Sequence, residues 1–151
     1  MKILYFEDNG SAMQKIINLR DYGHDVWCTE SFSDAMSWIL KESKNQFDAL
    51  IFDLIATDET LPQKFLDARY DETEHVFPSL YFIRHFILKE FPALRDRIIL
   101  CTAASVVDLD KNPSEIWLDI GQCHRVSKNS ERIVDELPAL LNKMEAQNGK
   151  Q

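Results

Sequence analysis

The sequence has few basic residues for its acidic content, and this shortage excludes one class of partner. Its 151 residues include 17 lysines and arginines against 25 aspartates and glutamates, which gives a formal net charge of -8. Unassisted binding to nucleic acid depends on a basic face that neutralises phosphates. We therefore expect no direct contact with nucleic acid and regard a divalent cation as a more plausible ligand.

A long apolar run is also lacking. The first apolar run covers residues 1–6 and ends at the acidic pair Glu7 and Asp8. Such a run is too short for the core of a signal peptide or for a membrane-spanning helix. We therefore expect no membrane association and a cytoplasmic location.

Closely spaced cysteine pairs, internal repeats and low-complexity segments are absent as well. The three cysteines, Cys28, Cys101 and Cys123, show no CxxC spacing, and we expect packed, reduced thiols without a chemical role. With 45% hydrophobic and 28% charged residues, the composition is that of a globular protein. We predict one domain over residues 1–147, followed by a tail at 148–151.

Short apolar runs alternate along the chain with helical patterns. The runs are typical of strands that are buried on both faces. The predicted strands cover residues 2–6, 24–28, 47–52, 97–102 and 124–127. Because the connections between them are long enough for crossover helices, we predict an α/β fold: a five-stranded parallel sheet with helices on both faces.

Several local features of the predicted helices can be tested. The first helix should place Tyr22 on its apolar face and end at Gly23. The second should cover about residues 33–44, with Leu40 facing inward. Pro138 lies inside the pattern of the last helix, at about residues 130–146, and should kink that helix or divide it in two.

The alternation is interrupted by a polar, weakly periodic segment at residues 56–77, between the third strand and the third helix. So long a connection is uncommon in a compact domain unless it is functional, mobile or partly helical. We interpret it as an acidic insertion. A solvated excursion and a partner-docking or lid element both remain open as explanations, and the third helix should begin at Pro78.

Side chains that can bind a ligand or take part in a reaction follow several of the predicted strands. Glu7 and Asp8 follow the first strand, Asp53 the third, and Lys128 the fifth, while Thr102 ends the fourth. In a parallel sheet these ends share one edge, where ligands bind. The crowded carboxylates would repel one another, and Mg2+ would remove that conflict. A carboxylate nucleophile, a metal, an ammonium group and a hydroxyl together suit phosphoryl transfer.

This set of residues, in this order, resembles the receiver domain of two-component response regulators, and the likeness covers about residues 2–144. The resemblance implies a flavodoxin-like sheet with strand order 2-1-3-4-5. It also implies that a sensor histidine kinase or a phosphotransfer protein donates a phosphoryl group to Asp53. The domain would catalyse its own Mg2+-dependent phosphorylation and dephosphorylation at this residue.

The resemblance further implies a role for each matching residue at the metal site. Asp8, Asp53 and the backbone carbonyl of Ile55 would ligate Mg2+, and Glu7 would act largely through a metal-bound water. Mg2+ is the only cofactor that we expect.

The remaining two matching residues would respond to the phosphoryl group. Lys128 would contact that group, or pair with Asp53 before transfer. Thr102 would move to donate a hydrogen bond to it, because the new negative charge recruits donors that were satisfied elsewhere. We expect output to pass through an unidentified partner protein or by transfer of the phosphoryl group onward, and self-association into a homodimer stays open.

Some positions depart from the receiver pattern and leave alternatives open. Asn129 follows Lys128 where the family usually has a cis-proline. Arg125 occupies a position that is commonly aromatic, with His124 beside it as a substitute. These departures favour a second hypothesis, a receiver-like interaction module that does not depend on phosphorylation. A third, an enzyme of the haloacid dehalogenase type, ranks last because Ile55 stands where that class needs a second acid.

Overall fold

The computed structural model describes residues 1–7, 18–41, 47–53, 79, 82–102, 124–127 and 133–148. The strands are β1 (Lys2–Phe6), β2 (Asp25–Thr29), β3 (Ala49–Phe52), β4 (Ile98–Thr102) and β5 (His124–Ser127). The helices are α1 (Phe32–Lys41), a π-helical turn (Ile83–Ile87), α2 (Leu88–Glu90), a 3-10 helix (Pro92–Arg97) and α3 (Ile133–Asn148). Residues 18–21 are also helical.

Every strand pair in the sheet is parallel. The strands lie in the order β2-β1-β3-β4, and β5 pairs with the outer side of β4. The predicted α/β architecture, with a parallel sheet in the order 2-1-3-4, is confirmed.

Two apolar clusters lie on opposite faces of the sheet, because successive side chains of a strand point to opposite sides. On β1, Leu4 and Phe6 belong to one cluster, and Ile3 and Tyr5 belong to the other. Residues of α1 and the π-helical turn cover the first cluster, and residues of α3 cover the second. The prediction that helices cover both faces is therefore confirmed.

The helix that precedes β2 ends at Gly23, as predicted. Gly23 has a positive φ of 88°, its N–H donates to the carbonyl of Arg20 at 2.9 Å, and the N–H of His24 donates to the carbonyl of Leu19 at 3.3 Å. This is the Schellman arrangement that satisfies the last helical carbonyls. The prediction for Tyr22 is wrong: its side chain is 65% exposed, because it lies in the turn that leaves the helix, where helical periodicity no longer sets its direction.

The start of α1 lies before the predicted one. The hydroxyl of Ser31 accepts a hydrogen bond from the N–H of Asp34 at 3.3 Å, which makes Ser31 the N-cap. The helix therefore begins at Phe32, whose ring is fully buried in the first cluster, and Ser33 lies within its first turn.

The predicted inward direction of Leu40 is wrong as well, since its side chain is 52% exposed. The buried face of α1 is formed by Phe32, Ala35 and Ile39. Because each residue of an α-helix turns the chain by about 100°, Leu40 lies well round the helix from Ile39 and misses the sheet.

Pro138 does not divide the last helix. α3 runs without interruption from Ile133 to Asn148, with Pro138 in its interior. Of the two predicted outcomes, division into two helices is wrong, and a kink stays a prediction. A proline removes one backbone donor. Leu137 and Leu141, on either side of Pro138, are both buried against the sheet, and this packing holds the helix together across it.

The chain between β3 and β4 is described in part. α2 ends at Glu90, before Pro92, and Phe91 leaves helical geometry at φ -136° and ψ 62°. The acidic insertion at 56–77, the helix start at Pro78 and the thiol of Cys123 lie outside the described residues. Among the helices that are described, none is long and apolar enough to cross a bilayer.

Candidate functional site

Two acidic residues lie side by side at the carboxyl edge of the sheet. Phe6, the last residue of β1, pairs with Phe52, the last residue of β3, so Glu7 and Asp53 follow at the same level. The N–H of Asp53 donates to the carbonyl of Phe6 at 3.0 Å. Both residues are only 5% exposed. The structure thus brings these two predicted site residues to one place.

The ends of β4 and β5 reach the same edge. Because Phe52 pairs with Leu100, Cys101 lies level with Asp53, and Thr102 lies one residue further along β4. Thr102 pairs in turn with Ser127, the last residue of β5. This register places the backbone of Thr102 beside Asp53 and one residue beyond its level, while its side chain lies outside what the structure describes. Three predicted site residues also lie outside it: Asp8, Ile55 and Lys128.

Ser79 holds the backbone of Asp53 from the helical side. Its hydroxyl donates a hydrogen bond to the carbonyl of Asp53, and the residue is fully buried. The sequence gives no signal for this contact, because 26 positions separate the two residues and the connection between them is weakly patterned. Asp53 is therefore fixed through its N–H on one side and its carbonyl on the other.

Glu7 is held by a residue of its own strand. The hydroxyl of Tyr5 donates to Oε2 of Glu7 at 3.3 Å, and the N–H of Glu7 donates to the carbonyl of Thr29 at 3.0 Å. Burial, followed by the neighbouring Cys101 thiol and the Glu7 carboxylate, raises the pKa of the Tyr5 hydroxyl far above its ordinary value. The phenol therefore stays protonated and remains a donor. Sequence analysis missed this role of Tyr5.

The described donor set fits a hard divalent cation. Buried carboxylates require hydrogen bonds or an opposite charge nearby, and Mg2+ prefers carboxylate and carbonyl oxygens. Within the described ranges no group of three or more metal-ligating side chains occurs. Glu7 and Asp53 would therefore need further ligands, and the predicted ones are Asp8 and the carbonyl of Ile55.

No protein-family model matches the sequence, and no curated protein matches it significantly. Solved structures do match. The chemotaxis protein CheY4 of Vibrio cholerae superposes with a TM-score of 0.63 at 17% identity, over 95% of this chain and 97% of that one. The chain has the fold of a response regulator receiver domain. The match covers nearly the whole length of this chain.

Two further structures support this assignment of the receiver fold. A response regulator receiver domain protein from Clostridium thermocellum gives a TM-score of 0.65 at 18% identity, covering 98% of this chain and 96% of that one. The BeF3-activated N-terminal receiver domain of RstA from Klebsiella pneumoniae gives 0.61 at 18% identity, covering 95% and 97%. These structural matches establish the receiver fold of the chain. Because the sequence identity is low, they do not assign roles to its residues.

Proposed function

We propose that this protein is a phosphoacceptor receiver domain, which takes a phosphoryl group onto Asp53 from a sensor histidine kinase or a phosphotransfer protein. It would then signal through contacts with an output protein. The observation that carries this proposal is the position of Asp53: only 5% exposed, level with Glu7, at the carboxyl edge of a receiver-fold sheet.

The transfer needs a fixed carboxylate and limited access for water. A carboxylate oxygen of Asp53 attacks the phosphorus, and the P–N bond of the phosphohistidine breaks. The electron pair leaves with the histidine nitrogen, which takes up a proton from water, and Asp53 becomes an aspartyl phosphate. Dephosphorylation is attack by water on the same phosphorus, which releases inorganic phosphate and restores the carboxylate. The two backbone hydrogen bonds of Asp53 hold it in place for both steps.

The acidic residues around Asp53 would hold the cofactor. In this proposal Asp8, Asp53 and the carbonyl of Ile55 would hold Mg2+, and Glu7 would act through a metal-bound water. When bound, Mg2+ supplies positive charge that offsets the phosphoryl oxygens.

Two more residues would respond to the phosphoryl group. Lys128 contacts it through its ammonium group. Thr102 donates a hydrogen bond to it from the end of β4 and carries the following loop along. The added charge, about -1.5 to -2, is the trigger for this change.

Intact-mass measurement after incubation with Mg2+ and acetyl phosphate tests the proposal. We expect one phosphate adduct on the wild-type protein and none on Asp53→Asn. Asp48→Asn is the matched control, because Asp48 precedes the other end of β3, where its Oδ2 accepts a hydrogen bond from the N–H of Lys2 at 2.8 Å. This control variant should be labelled as fully as the wild type.

Two outcomes would contradict the proposal. An adduct that survives in Asp53→Asn would place the acceptor elsewhere. A wild-type protein without an adduct, under conditions that label an ordinary receiver domain, would favour the interaction module that does not depend on phosphorylation. Arg125 and Asn129, which depart from the receiver pattern, favour the same alternative. Because a related fold is known in a BeF3-activated form, BeF3 binding followed by fluorine NMR provides a second measurement that needs no covalent transfer.

A further inference from the structure

The hydroxyl of Tyr5 is a polar group in the middle of the sheet. Tyr5 pairs with Cys28 on one side and with Ile51 on the other, and it is fully buried. A buried phenol requires a hydrogen-bond partner, because an unpaired polar group in an apolar setting is unfavourable. Packing alone would be served as well by phenylalanine at this position. The hydroxyl therefore points to a role beyond filling the core.

Two side chains hydrogen-bond with this hydroxyl, the Cys101 thiol and the Glu7 carboxylate. The Glu7 carboxylate is the one that belongs to the candidate site. Residues two apart on an extended strand point to the same face, and the Tyr5 hydroxyl lies 3.3 Å from Oε2 of Glu7. The phenol O–H donates this hydrogen bond, and the carboxylate oxygen accepts it. Since both side chains are buried and the aromatic ring has few rotamers, this contact restricts the Glu7 carboxylate to one region at the edge of the sheet.

We infer that Tyr5 is a positioning residue for the metal site: it holds the Glu7 carboxylate where that group can accept a hydrogen bond from a water on a divalent cation. This inference rests on the proposed function, because Glu7 acts there through a metal-bound water. Groups that orient the residues around a metal commonly change its affinity about 10- to 100-fold when they are removed. Tyr5 contacts Glu7, which itself acts through a metal-bound water, so we expect the loss of metal affinity at the lower end of that range.

Direct binding of Mn2+ tests the inference without any phosphotransfer. Free Mn2+ is followed by electron paramagnetic resonance, and competition with Mg2+ shows that both ions share the site. We expect Tyr5→Phe to weaken Mn2+ binding about tenfold. Tyr22→Phe is the matched control, since it removes a hydroxyl from a tyrosine that is 65% exposed, and it should bind Mn2+ as the wild type does.

A double-mutant cycle separates positioning from a general loss of packing. In a Glu7→Ala background, which has no acceptor for the Tyr5 hydroxyl at this position, Tyr5→Phe should have no further effect on Mn2+ affinity, whereas a packing defect would weaken binding equally in both backgrounds. Thermal unfolding in EDTA confirms that each variant is folded at the assay temperature. If Tyr5→Phe does not fold, Glu7→Asp takes its place, because it keeps the charge but draws the carboxylate away from the Tyr5 hydroxyl. It should show a similar loss of affinity.

The outcomes distinguish this inference from the function on which it rests. A wild-type protein that binds no Mn2+ overturns both the proposed metal site and the role of Tyr5. If the wild type binds Mn2+ and Tyr5→Phe changes the affinity by less than about twofold, only the role of Tyr5 is overturned, because the expected loss is about tenfold. The same holds for Glu7→Asp where it replaces Tyr5→Phe. An equal loss in the Glu7→Ala background also overturns it, in favour of packing.

Discussion

At the scale of single residues, the candidate site is defined by contacts with the backbone as much as by its acidic side chains. Asp53 lies just beyond β3, which ends at Phe52. Its N–H is satisfied by the carbonyl of Phe6, and its carbonyl by the hydroxyl of Ser79. These two bonds join β1, β3 and the helical segment at the proposed phosphoacceptor.

Replacing Ser79 by alanine should therefore destabilise the protein. The buried carbonyl of Asp53 would lose its donor, and a buried group left unsatisfied costs about 1–3 kcal/mol. Urea denaturation measures the change in the free energy of unfolding. Ser37→Ala, which removes a hydroxyl from a half-buried position of α1, is the control and should change it by about 0.5 kcal/mol or less. If Ser79→Ala is as stable as the wild type, water replaces the lost donor and the contact is not a structural tie.

Sequence reasoning finds some of these residues and misses others for a physical reason. Glu7 and Asp53 are recognisable because each is an acid directly after an apolar run. Tyr5 lies inside such a run, where any large apolar side chain fits the pattern, so its hydroxyl attracts no notice. Ser79 contacts Asp53 only because the chain folds back, and no local pattern encodes that.

At the scale of elements, α1 shows how packing selects between two local signals. Ser31 and Ser33 are both reasonable N-caps, and propensity alone does not separate them. With Ser31 as the cap, Phe32 enters the first turn and stacks on Phe6 with ring centroids 4.0 Å apart. Burial of this ring, rather than capping, fixes the start of the helix.

Ser31→Ala should accordingly lower stability by about 1 kcal/mol, because the N–H of Asp34 loses its acceptor. Ser33 lies two residues further along, in the first turn of α1, and is exposed. Ser33→Ala therefore provides the comparison and should change the free energy of unfolding by less than about 0.5 kcal/mol. Thermal unfolding of both variants measures the difference. The reverse order of effects would show that Ser33 is the true cap and that α1 begins later.

The helices also show the limits of periodicity. The pattern predicts the core residues of α3 because three of them, Leu137, Leu141 and Met144, recur at helical spacing and are buried. Its prediction that Pro138 could divide the helix is wrong, because tertiary packing on both sides of a proline outweighs one lost hydrogen bond. It misplaces Leu40, because an apolar residue beside the buried face looks the same in sequence as one within it.

At the scale of the whole molecule, the sheet has one set of strands and two cores. Alternation along β4 places Ile98 and Leu100 in one cluster, and Ile99 and Cys101 in the other. The parallel sheet and its helices on both faces follow from short apolar runs and crossover spacing. The strand order does not, because neighbouring strands are far apart in sequence, and only the likeness to receiver domains predicts it.

The acidic insertion at 56–77 has neither periodicity nor a matching pattern in that family, so its role stays a prediction.

The assignment of one domain to residues 1–147 leads to a prediction about unfolding. Ile98 and Ile99 are adjacent and fully buried but face opposite clusters, so Ile98→Val and Ile99→Val remove the same methyl group from the two cores. Each should cost about 0.5–1.5 kcal/mol. If the chain is one cooperative unit, each substitution shifts a single urea transition, with the same midpoint by far-ultraviolet circular dichroism and by tryptophan fluorescence.

Trp27 and Trp38 pack against the first cluster, so the fluorescence signal includes that side. A fluorescence midpoint that moves for Ile98→Val but not for Ile99→Val would show that the two faces unfold separately. Since both clusters are built on the same strands, β1, β3 and β4, we expect the two faces to unfold together.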